Sequence, residues 1–407
     1  MKTRFTSEFF TNNRKTLTEL SGSSLIVLSA NGLLQRSADT TFSFRQDSNF
    51  WYLTGINEAD YVLVISEGNT FLIAPKRSEH RDLWDGVIDK EQLQDASGIS
   101  NILEHHDGWI ALDKLIKKYK KIHTIAPVEA YFEHLGFFAN PARGALQTAL
   151  KKHRSVEIVD VRKTLARMRQ VKQLPELQAL QQAIDITVDS LTKIKLNAAH
   201  YTHETELAAD ITADFIRAGA IGHAYHPIIA SGLNAATIHY INNNEPLKKD
   251  GLILMDVGAE VNNYSADITR TYAFNKPTAR QRDVYNAVLS VKQTAENLLK
   301  PGIDMKKYEQ SVDEAMAIEL KSLKLIDDVK DKKKLKKYYP HLTSHFLGLD
   351  THDAADYTIK LEPGMVVTVE PGIYIPDEAI GIRIEDDVLI TKNGIKNLSA
   401  NLSVNLD

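Results

Sequence analysis

Short apolar runs separated by turn residues dominate the pattern in the first part of the chain. SSLIVLSA, YVLVISEG and TFLIAP have the length and composition of strands and are bounded by Gly, Ser or Pro. Farther along, GWIALDKLIKKYKKI spaces its apolar residues as a helix does, with lysines on the other face. This alternation of strand and helix patterns predicts an α/β domain over residues 1–170.

A long helical pattern, VRKTLARMRQVKQLPELQALQQAIDITVDSLTKI, follows and is interrupted at Pro175. Because proline is favoured in the first turn of a helix, we place the domain junction near Gln170 to Leu174. Beyond it, helices run to about Ala218 and again from Ala279 to about Lys324. Strand-rich regions occupy Pro227 to Phe274 and the chain from Leu361 onward. Segregated helices and hairpins predict an α+β domain over residues 171–407.

Composition narrows the classes of function. The 49 basic and 53 acidic residues give a net charge of −4, which provides no overall attraction for nucleic acid. The basic run VKDKKKLKKYY is interpreted as a solvated helix end. No apolar run approaches the ~20 residues that span a bilayer, and the N-terminus lacks the apolar stretch of a secretory signal. The chain has no cysteine, which suits the cytoplasm and leaves only oxygen and nitrogen ligands for a metal.

Five ionisable residues interrupt apolar, strand-like runs in the last third of the chain. The runs read LILMDVGAEV, YSADITRTYAF, HLTSHFLGL, MVVTVEPGIYI and GIRIEDDVLI, and the residues are Asp256, Asp267, His345, Glu370 and Glu385. An ionisable side chain in such a run is costly unless something compensates it. If the five converge, their charge of about −4 matches two divalent cations. The pattern therefore predicts a two-metal hydrolytic centre.

Asp256 and Asp267 lie on two strand-like runs joined by GAEVNNY. If the turn is centred between Val261 and Asn262, they face each other across a hairpin with Cβ atoms ~5 Å apart, and a bridging cation removes their repulsion. Alternatively, the register differs, or one aspartate accepts backbone hydrogen bonds in the turn.

Strand alternation places Thr368 with Glu370 on one face, and Arg383 with Glu385 on one face. The branched neighbours take the opposite faces, so the polar faces can line one cleft. A half-exposed sheet with solvated charges is the alternative. His341 and His345 are four residues apart and His352 follows, but this spacing is not the His-Glu-x-x-His zinc pattern because residue 342 is Leu.

These motifs resemble those of the metal-dependent peptidases with the pita-bread fold, and within them the aminopeptidase P branch. MDVGAEVNNYSADITRTY is similar to the family's two-Asp hairpin, HLTSHFLGLDTHD to its His segment, and VTVEPGIYI and GIRIEDDVLI to its two Glu segments. FRQDSNFWYLTG resembles the signature of the creatinase-type N-terminal domain, which methionine aminopeptidases lack. The resemblance implies an α+β pita-bread catalytic domain after an α/β creatinase-type N-terminal domain.

The resemblance also implies roles for the five residues. Asp256 chelates one metal, Asp267 and Glu385 bridge both, and His345 and Glu370 bind the other. The family usually holds two manganese ions. Two metals that share a water lower its pKa towards about 7 and supply hydroxide for attack on the peptide carbonyl. Glu370 is also the candidate general base, which passes the proton to the leaving proline nitrogen.

Further residues match the family's substrate contacts. His239, His341 and His352 match its substrate-contacting histidines, and His352 and His239 are candidates to stabilise the oxyanion. Arg383 matches the arginine beside the last ligand, and Tyr374 matches a tyrosine near the site.

Trp84, in RDLWDG, matches a tryptophan that lines a neighbouring subunit's site, although a packed aromatic of the N-terminal domain fits the sequence as well. The resemblance implies a homodimer or homotetramer. It also implies release of the N-terminal residue from peptides with proline in the second position.

Three other functions remain open. A dipeptidase of the Xaa-Pro type shares the architecture and has a use for Arg383, and a tripeptide substrate separates the two enzymes. A metal-free pita-bread binding module or a creatinase-like amidinohydrolase would lack some of the five ligands, all of which this chain has.

Overall fold

The computed structural model describes residues 5–22, 24–125, 136, 138–153, 156–248 and 251–407. The chain forms two compact units, Lys2–Ala166 and Arg167–Asp407. Within the described residues, no helix combines the length and the apolar character needed to cross a membrane. The predicted domain limits, 1–170 and 171–407, stay a prediction.

The first unit is built around a mixed sheet of six strands among its described residues. Its strand order is Ile102–Leu103, Asn69–Ile73, Val62–Ser66, Leu25–Ser29, Lys121–Thr124 and Glu157–Asp160, with a separate pair Gln35–Ser37 and Thr40–Thr41. The helices are Ser7–Leu20, Ser48–Thr54, Glu79–Asp85, Lys90–Ser97, His105–Ile116 and Pro141–Leu150. Leu25, Val64 and Leu112 meet in its core, because the apolar faces of sheet and helix need each other for burial.

One helix of this unit is shorter than its pattern predicts. The spacing in GWIALDKLIKKYKKI predicts a helix to Ile122, but the helix ends at Ile116. Lys121–Thr124 instead pairs in parallel with Leu25–Ser29 and with Glu157–Asp160. Pairing with distant strands therefore outweighs the local helical spacing at this end.

The second unit combines helices with antiparallel sheets. Arg162–Gln170 spans the division between the units, and the helices beyond it are Leu174–Leu196, Glu204–Arg217, Ala279–Leu298, Met305–Ser322 and Lys332–Tyr338. Three-residue or five-residue 3₁₀ turns occupy Ala198–His200, Gly232–Ala236 and Pro376–Glu378. Pro175 lies in the first turn of its helix, as predicted.

The strands of the second unit lie in the two predicted strand-rich regions, except Gly222–His223, which comes just before the first of them. They are Gly222–His223, Ile228–Ser231, Leu252–Val257, Ala259–Val261, Tyr264–Ser265, Ile268–Ala273, Val366–Val369, Gly372–Ile375, Ile380–Arg383, Asp386–Thr391 and Gly394–Asn397. The α/β class of the first unit and the α+β class of the second are confirmed.

In the two strands that lead to Glu370 and Glu385, apolar and polar residues take opposite faces, as predicted. Val367, Val369, Ile382 and Ile384 pack in the core against helices Ala279–Leu298 and Met305–Ser322. The polar residues of the other face are buried too, with Thr368 at 0% and Glu385 at 1% exposure. The alternative of a half-exposed sheet with solvated charges is therefore wrong.

The hairpin that carries the two aspartates turns one residue later than the assumed centre. Val261 pairs with Tyr264, and Asp256 pairs with Thr269. The alternative of a different register is therefore confirmed, and the prediction that Asp256 faces Asp267 directly is wrong. The turn residues Asn262 and Asn263 both have positive φ, 50° and 64°, a conformation that asparagine tolerates and that builds a two-residue turn. The shift of the partner by two positions keeps Asp267 on the same side as Asp256.

The basic run forms the short helix Lys332–Tyr338. Its residues Lys332, Lys333, Lys334 and Lys337 are exposed, which agrees with a solvated helix. The segment with His341 and His345 is not helical, so these two histidines do not share a helix face.

Candidate metal centre

The five candidate ligands converge in the second unit. Ligand atoms of Asp267, His345 and Glu385 all lie within 4.8 Å of one another. His345 Nε2 is 3.3 Å from Asp267 Oδ2 and 3.5 Å from Glu370 Oε1. Asp256 joins the cluster through Tyr225, whose hydroxyl is 2.5 Å from Asp256 Oδ1 and 2.6 Å from Asp267 Oδ1. The arrangement brings together four carboxylates and one imidazole.

Asp256 is held by a cation as well as by Tyr225. Its Oδ2 accepts a hydrogen bond from Arg383 Nη2, and the side chain of Arg383 is 3% exposed. Burial raises the pKa of Asp256, an effect that Arg383 opposes and the charge of Asp267 reinforces. The ion pair therefore offsets only part of the cost of placing this carboxylate here.

Glu385 is a carboxylate with little compensation from the protein. Its Oε2 accepts from Thr269 Oγ1 at 2.7 Å, while its Oε1 is buried without a hydrogen-bond partner among the described residues. Burial, followed by the charges of Asp267 and Glu370, raises the pKa of Glu385 far above its usual range. A buried carboxylate oxygen without a partner among the described residues, next to other carboxylates, fits a site that binds a cation.

His345 presents one nitrogen to the carboxylates. Its Nδ1 lies 3.1 Å from Phe346 O, and a carbonyl only accepts, so Nδ1 donates to it and Nε2 is the nitrogen that faces the carboxylates. Burial lowers the pKa of His345, but the hydrogen bond with Asp267 and the charge of Glu370 outweigh burial and raise it to about 9. For the carboxyl of Glu370, burial acts in the other direction and raises the pKa to about 8.

A chain of hydrogen bonds connects Arg383 with His341. Arg383 Nη1 donates to Tyr374 Oη at 2.7 Å, and His341 Nε2 is 2.9 Å from the same hydroxyl. Because His341 Nδ1 lies 2.8 Å from Leu342 O and must donate to it, Nε2 accepts from Tyr374. Burial lowers the pKa of His341 to about 3, so its ring is neutral at neutral pH.

His352 and His239 lie on the exposed side of the cluster. The rings of His352 and His345 are in edge contact, with centroids 4.3 Å apart. Burial and the charge of His345 lower the pKa of His352 to about 4. His239 is exposed and near enough to influence the pKa of both His341 and His352.

Trp84 belongs to the other unit, on helix Glu79–Asp85. Its side chain is 74% exposed, with Leu83 and Val87 also exposed beside it. The alternative that Trp84 is a packed aromatic of the N-terminal domain is wrong.

The sequence analysis missed three residues of the site, and only one of them, Asp387, has a signal in the sequence. Tyr225 touches both aspartates, Thr269 donates to Glu385, and Asp387 accepts from the backbone N–H of Asp267 at 3.1 Å. Asp387 lies two residues after Glu385 in GIRIEDDVLI, where a third acidic residue in an apolar run was a usable signal.

Comparisons with known proteins agree with this geometry. The model of metallopeptidase family M24 matches residues 178–392, and that of the aminopeptidase P N-terminal domain matches residues 9–123. The chain is 31% identical to the Xaa-Pro aminopeptidase of Haemophilus influenzae, over 97% of this chain and 94% of that protein. It is 30% identical to the Xaa-Pro aminopeptidase of Escherichia coli, over 90% of this chain and 88% of that protein.

Solved structures give the same result. The low-pH form of aminopeptidase P from E. coli superimposes with a TM-score of 0.88 at 30% identity, over 99% of this chain and 97% of that chain. An aminopeptidase from Pseudomonas aeruginosa has a TM-score of 0.87 at 28% identity, with the same coverage. With a family model matched over more than half of its length, the chain belongs to metallopeptidase family M24 and carries the N-terminal domain of aminopeptidase P.

Proposed function

We propose that this chain is a metal-dependent exopeptidase that releases the N-terminal residue from peptides with proline in the second position. The observation that carries the proposal is the buried cluster of four carboxylates and His345, in which Glu385 Oε1 has no partner among the described residues. Such a cluster is costly unless cations compensate it. Relatives similar over nearly the whole chain are named Xaa-Pro aminopeptidases.

The proposed metal ligands are Asp256, Asp267, His345, Glu370 and Glu385. Their oxygen and nitrogen donors suit a pair of divalent ions, and we propose manganese, which carboxylate-rich sites favour. When bound, the metals polarise the scissile carbonyl and lower the pKa of the attacking water.

Glu370 is the proposed general base. Its Oε1 faces His345 Nε2 and its Oε2 faces His341 Nδ1 at 3.7 Å. Oε2 therefore lies on the side of the substrate-contacting histidines, where it can take the proton of the water and deliver it to the leaving proline nitrogen.

The substrate is held by the residues around this cluster. His341, Tyr374 and Arg383 form one hydrogen-bonded chain that ends at Asp256, so the position of His341 is tied to that of a metal ligand. His352 and His239 lie on the exposed side, where they can donate to the oxyanion. A neutral His352 suits this role because it adds a hydrogen bond without adding charge.

Two alternatives have separate tests. A dipeptidase of the Xaa-Pro type would cleave only the dipeptide, whereas the compared relatives are named aminopeptidases. A metal-free binding module or amidinohydrolase would be purified without metal. Glu385, a buried carboxylate with little compensation from the protein, argues against a metal-free protein of either kind.

The test is hydrolysis of Ala-Pro-Ala, Ala-Pro and Ala-Ala-Ala by chelator-treated protein, with and without added manganese. We expect manganese-dependent release of alanine from Ala-Pro-Ala and much slower cleavage of Ala-Ala-Ala. Glu370→Gln should lower kcat by at least about 100-fold. Glu362→Gln, an exposed residue on the chain leading to the same strand, should not change it. Cleavage of Ala-Pro alone moves the function to a dipeptidase, and no cleavage with any divalent metal overturns the proposal.

We further propose that the protein is a cytoplasmic homodimer or homotetramer in which Trp84 reaches the site of a neighbouring copy. The exposed Leu83, Trp84 and Val87 support this surface. Light scattering after size exclusion measures the assembly, and kcat/KM of Trp84→Ala on longer peptides tests the contact. A monomer with unchanged kinetics in Trp84→Ala contradicts it.

We also propose that the domains run over residues 1–170 and 171–407.

A further inference from the structure

A group of buried charges lies directly behind the segment that carries His352. Arg169, Lys172 and Asp353 are each at most 5% exposed, and Asp353 directly follows His352 in the chain. Asp353 Oδ1 accepts from Arg169 Nη2, and Asp353 Oδ2 accepts from Lys172 Nζ at 2.7 Å. Each oxygen of this carboxylate is therefore bound to a cation from a segment more than 180 residues earlier in the chain.

The two cations have a fixed place in the second unit. Lys172 Nζ also donates to Arg169 O at 2.6 Å, and the backbone N–H of Lys172 donates to Gly364 O at 2.9 Å. Val171 forms a bridge to Met365, which directly precedes a core strand. The segment 169–172 is thus anchored to the sheet, and through its cations it anchors Asp353.

The carbonyl of Phe346 links Asp353 to the metal cluster. The backbone N–H of Asp353 donates to Phe346 O at 2.8 Å, and His345 Nδ1 donates to the same oxygen at 3.1 Å. The rings of His345 and His352 touch edge to face. A displacement of Asp353 therefore moves His352 directly and changes the hydrogen bond that orients His345.

The turn packs closely on the charges. A Cβ at Gly348 would lie 2.3 Å from Asp353 Oδ2 and 2.7 Å from Lys172 Nζ, so a side chain does not fit there. Asp350 adds a further contact, since its carboxylate accepts from Arg169 Nη2 at 2.7 Å. Arg169 and Lys172 therefore bind the turn between Phe346 and Asp353 at two acidic residues, Asp350 and Asp353.

We propose that Arg169 and Lys172 are positioning residues that hold His352 against the substrate through Asp353. This inference rests on the proposed peptidase function and adds residues that contact neither metal nor substrate. A buried ion pair contributes little net stability compared with apolar residues of the same volume, but it fixes one geometry. Two cations on one carboxylate, next to a residue that must meet the substrate, are therefore better explained by positioning than by stability.

The test is a double-mutant cycle between Lys172→Met and His352→Ala, assayed with Ala-Pro-Ala at saturating manganese. Lys172→Met removes one cation and leaves the Arg169–Asp353 pair. We expect it to lower kcat/KM about 10-fold to 100-fold, as loss of a supporting hydrogen bond in a metal site does. In the His352→Ala background the same substitution should cost less than about threefold, because residues that act through one another are not additive.

A second measurement does not depend on activity. Diethyl pyrocarbonate modifies accessible histidines, and mass spectrometry follows the rate at His352 relative to the exposed His200. We expect Lys172→Met to speed modification of His352 several-fold and to leave His200 unchanged, because a loosened turn releases the ring more often from its edge contact with His345. If Lys172→Met does not fold, Arg169→Lys takes its place in both measurements, since it keeps the charge but loses the contacts of Nη2 with both Asp350 and Asp353.

Arg167→Met is the matched control. Arg167 lies on helix Arg162–Gln170, as Arg169 does. It donates to Asp356, three residues after Asp353, at 3.0 Å, but its side chain is 52% exposed. It should keep the wild-type kcat/KM and the wild-type rate at His352. Equal losses in both backgrounds of the cycle, or an unchanged rate at His352, overturn the inference. If the wild-type chain cleaves no Xaa-Pro peptide, the proposed function fails, while the rate at His352 still decides this inference.

Discussion

At the scale of the residue, Glu309 shows how a half-buried acid outside the metal cluster supports it. Its two carboxylate oxygens accept from the backbone N–H groups of Thr343 and Ser344 at 2.9 and 3.0 Å, directly before His345. Burial raises the pKa of Glu309 from 4.5 to about 7, although these two hydrogen bonds oppose the rise. The folded protein therefore binds a proton here at a pH where the unfolded chain has lost it.

The free energy of unfolding should reflect this proton. Between pH 4.5 and about 7, only the folded state holds it, so the contribution of Glu309 to stability falls as pH rises, by at most about 1.4 kcal/mol per pH unit. Urea unfolding at several pH values checks this. Glu309→Gln should flatten the decline, and Glu314→Gln, exposed on the same helix, should not. Parallel pH curves for wild type and Glu309→Gln would contradict the prediction.

Tyr225 should matter for metal affinity. Its hydroxyl lies between Asp256 Oδ1 and Asp267 Oδ1 and orients two proposed ligands. We expect Tyr225→Phe to weaken manganese binding at least about 10-fold, as other losses of hydrogen bonds to metal ligands do. Competition with a chelator of known affinity measures it. Tyr272→Phe is the control, because the hydroxyl of Tyr272 is buried without a partner among the described residues. Equal affinities in the two variants would refute the role of Tyr225.

The sequence points to the charged residues of the site better than to the neutral ones. Asp256, Asp267 and Glu385 could be singled out because a carboxylate in an apolar run is costly. Tyr225 carries no such cost, since a tyrosine is ordinary in both core and surface. Its place between two aspartates depends on the fold and not on any local pattern.

At the scale of the element, the hairpin of the two aspartates shows where local reasoning stops. The run GAEVNNY predicts a turn, but the position of its centre depends on which residues take positive φ. Asn262 and Asn263 do so together, and that choice shifts the partner of Asp256 from Asp267 to Thr269. Residue 258, between the two paired stretches of the hairpin, is a glycine whose backbone lies close to that of Ala266.

Gly258→Ala should disrupt metal binding through the backbone. A Cβ at this position would lie 1.8 Å from Ala266 O, beside Asp267, so the two arms of the hairpin must separate. We expect a loss of manganese affinity of at least about 10-fold and a lower melting temperature, measured by calorimetric titration and thermal unfolding. Gly222→Ala is the control, because Gly222 pairs with Glu260 in the adjoining sheet and has open space around it. Wild-type affinity in Gly258→Ala would show that the hairpin tolerates the opening.

At the scale of the whole molecule, the two units differ in how directly the sequence predicts them. In the first unit, the apolar runs coincide with strands Leu25–Ser29, Val62–Ser66 and Asn69–Ile73. In the second, the contacts that support the candidate site join residues far apart in the chain, such as Lys172 with Asp353. A single sequence contains no periodicity at that separation, so the ligands could be predicted but the residues that hold them in place could not.

Metal binding should therefore stabilise one unit and not the other. All the proposed ligands lie in Arg167–Asp407, and a ligand present at 100 times its dissociation constant stabilises the folded form by about 2.7 kcal/mol, or about 100-fold in the population of open states. Hydrogen exchange followed by mass spectrometry, with chelator and with manganese, checks this. Exchange should slow in 252–273, 341–353 and 366–390. It should stay unchanged in 25–29 and 62–73 of the first unit, whose strands contain none of the proposed ligands. Equal slowing in both units would show that the metal stabilises the chain as one cooperative body, and no slowing in 252–273 would show that the aspartate hairpin does not bind it.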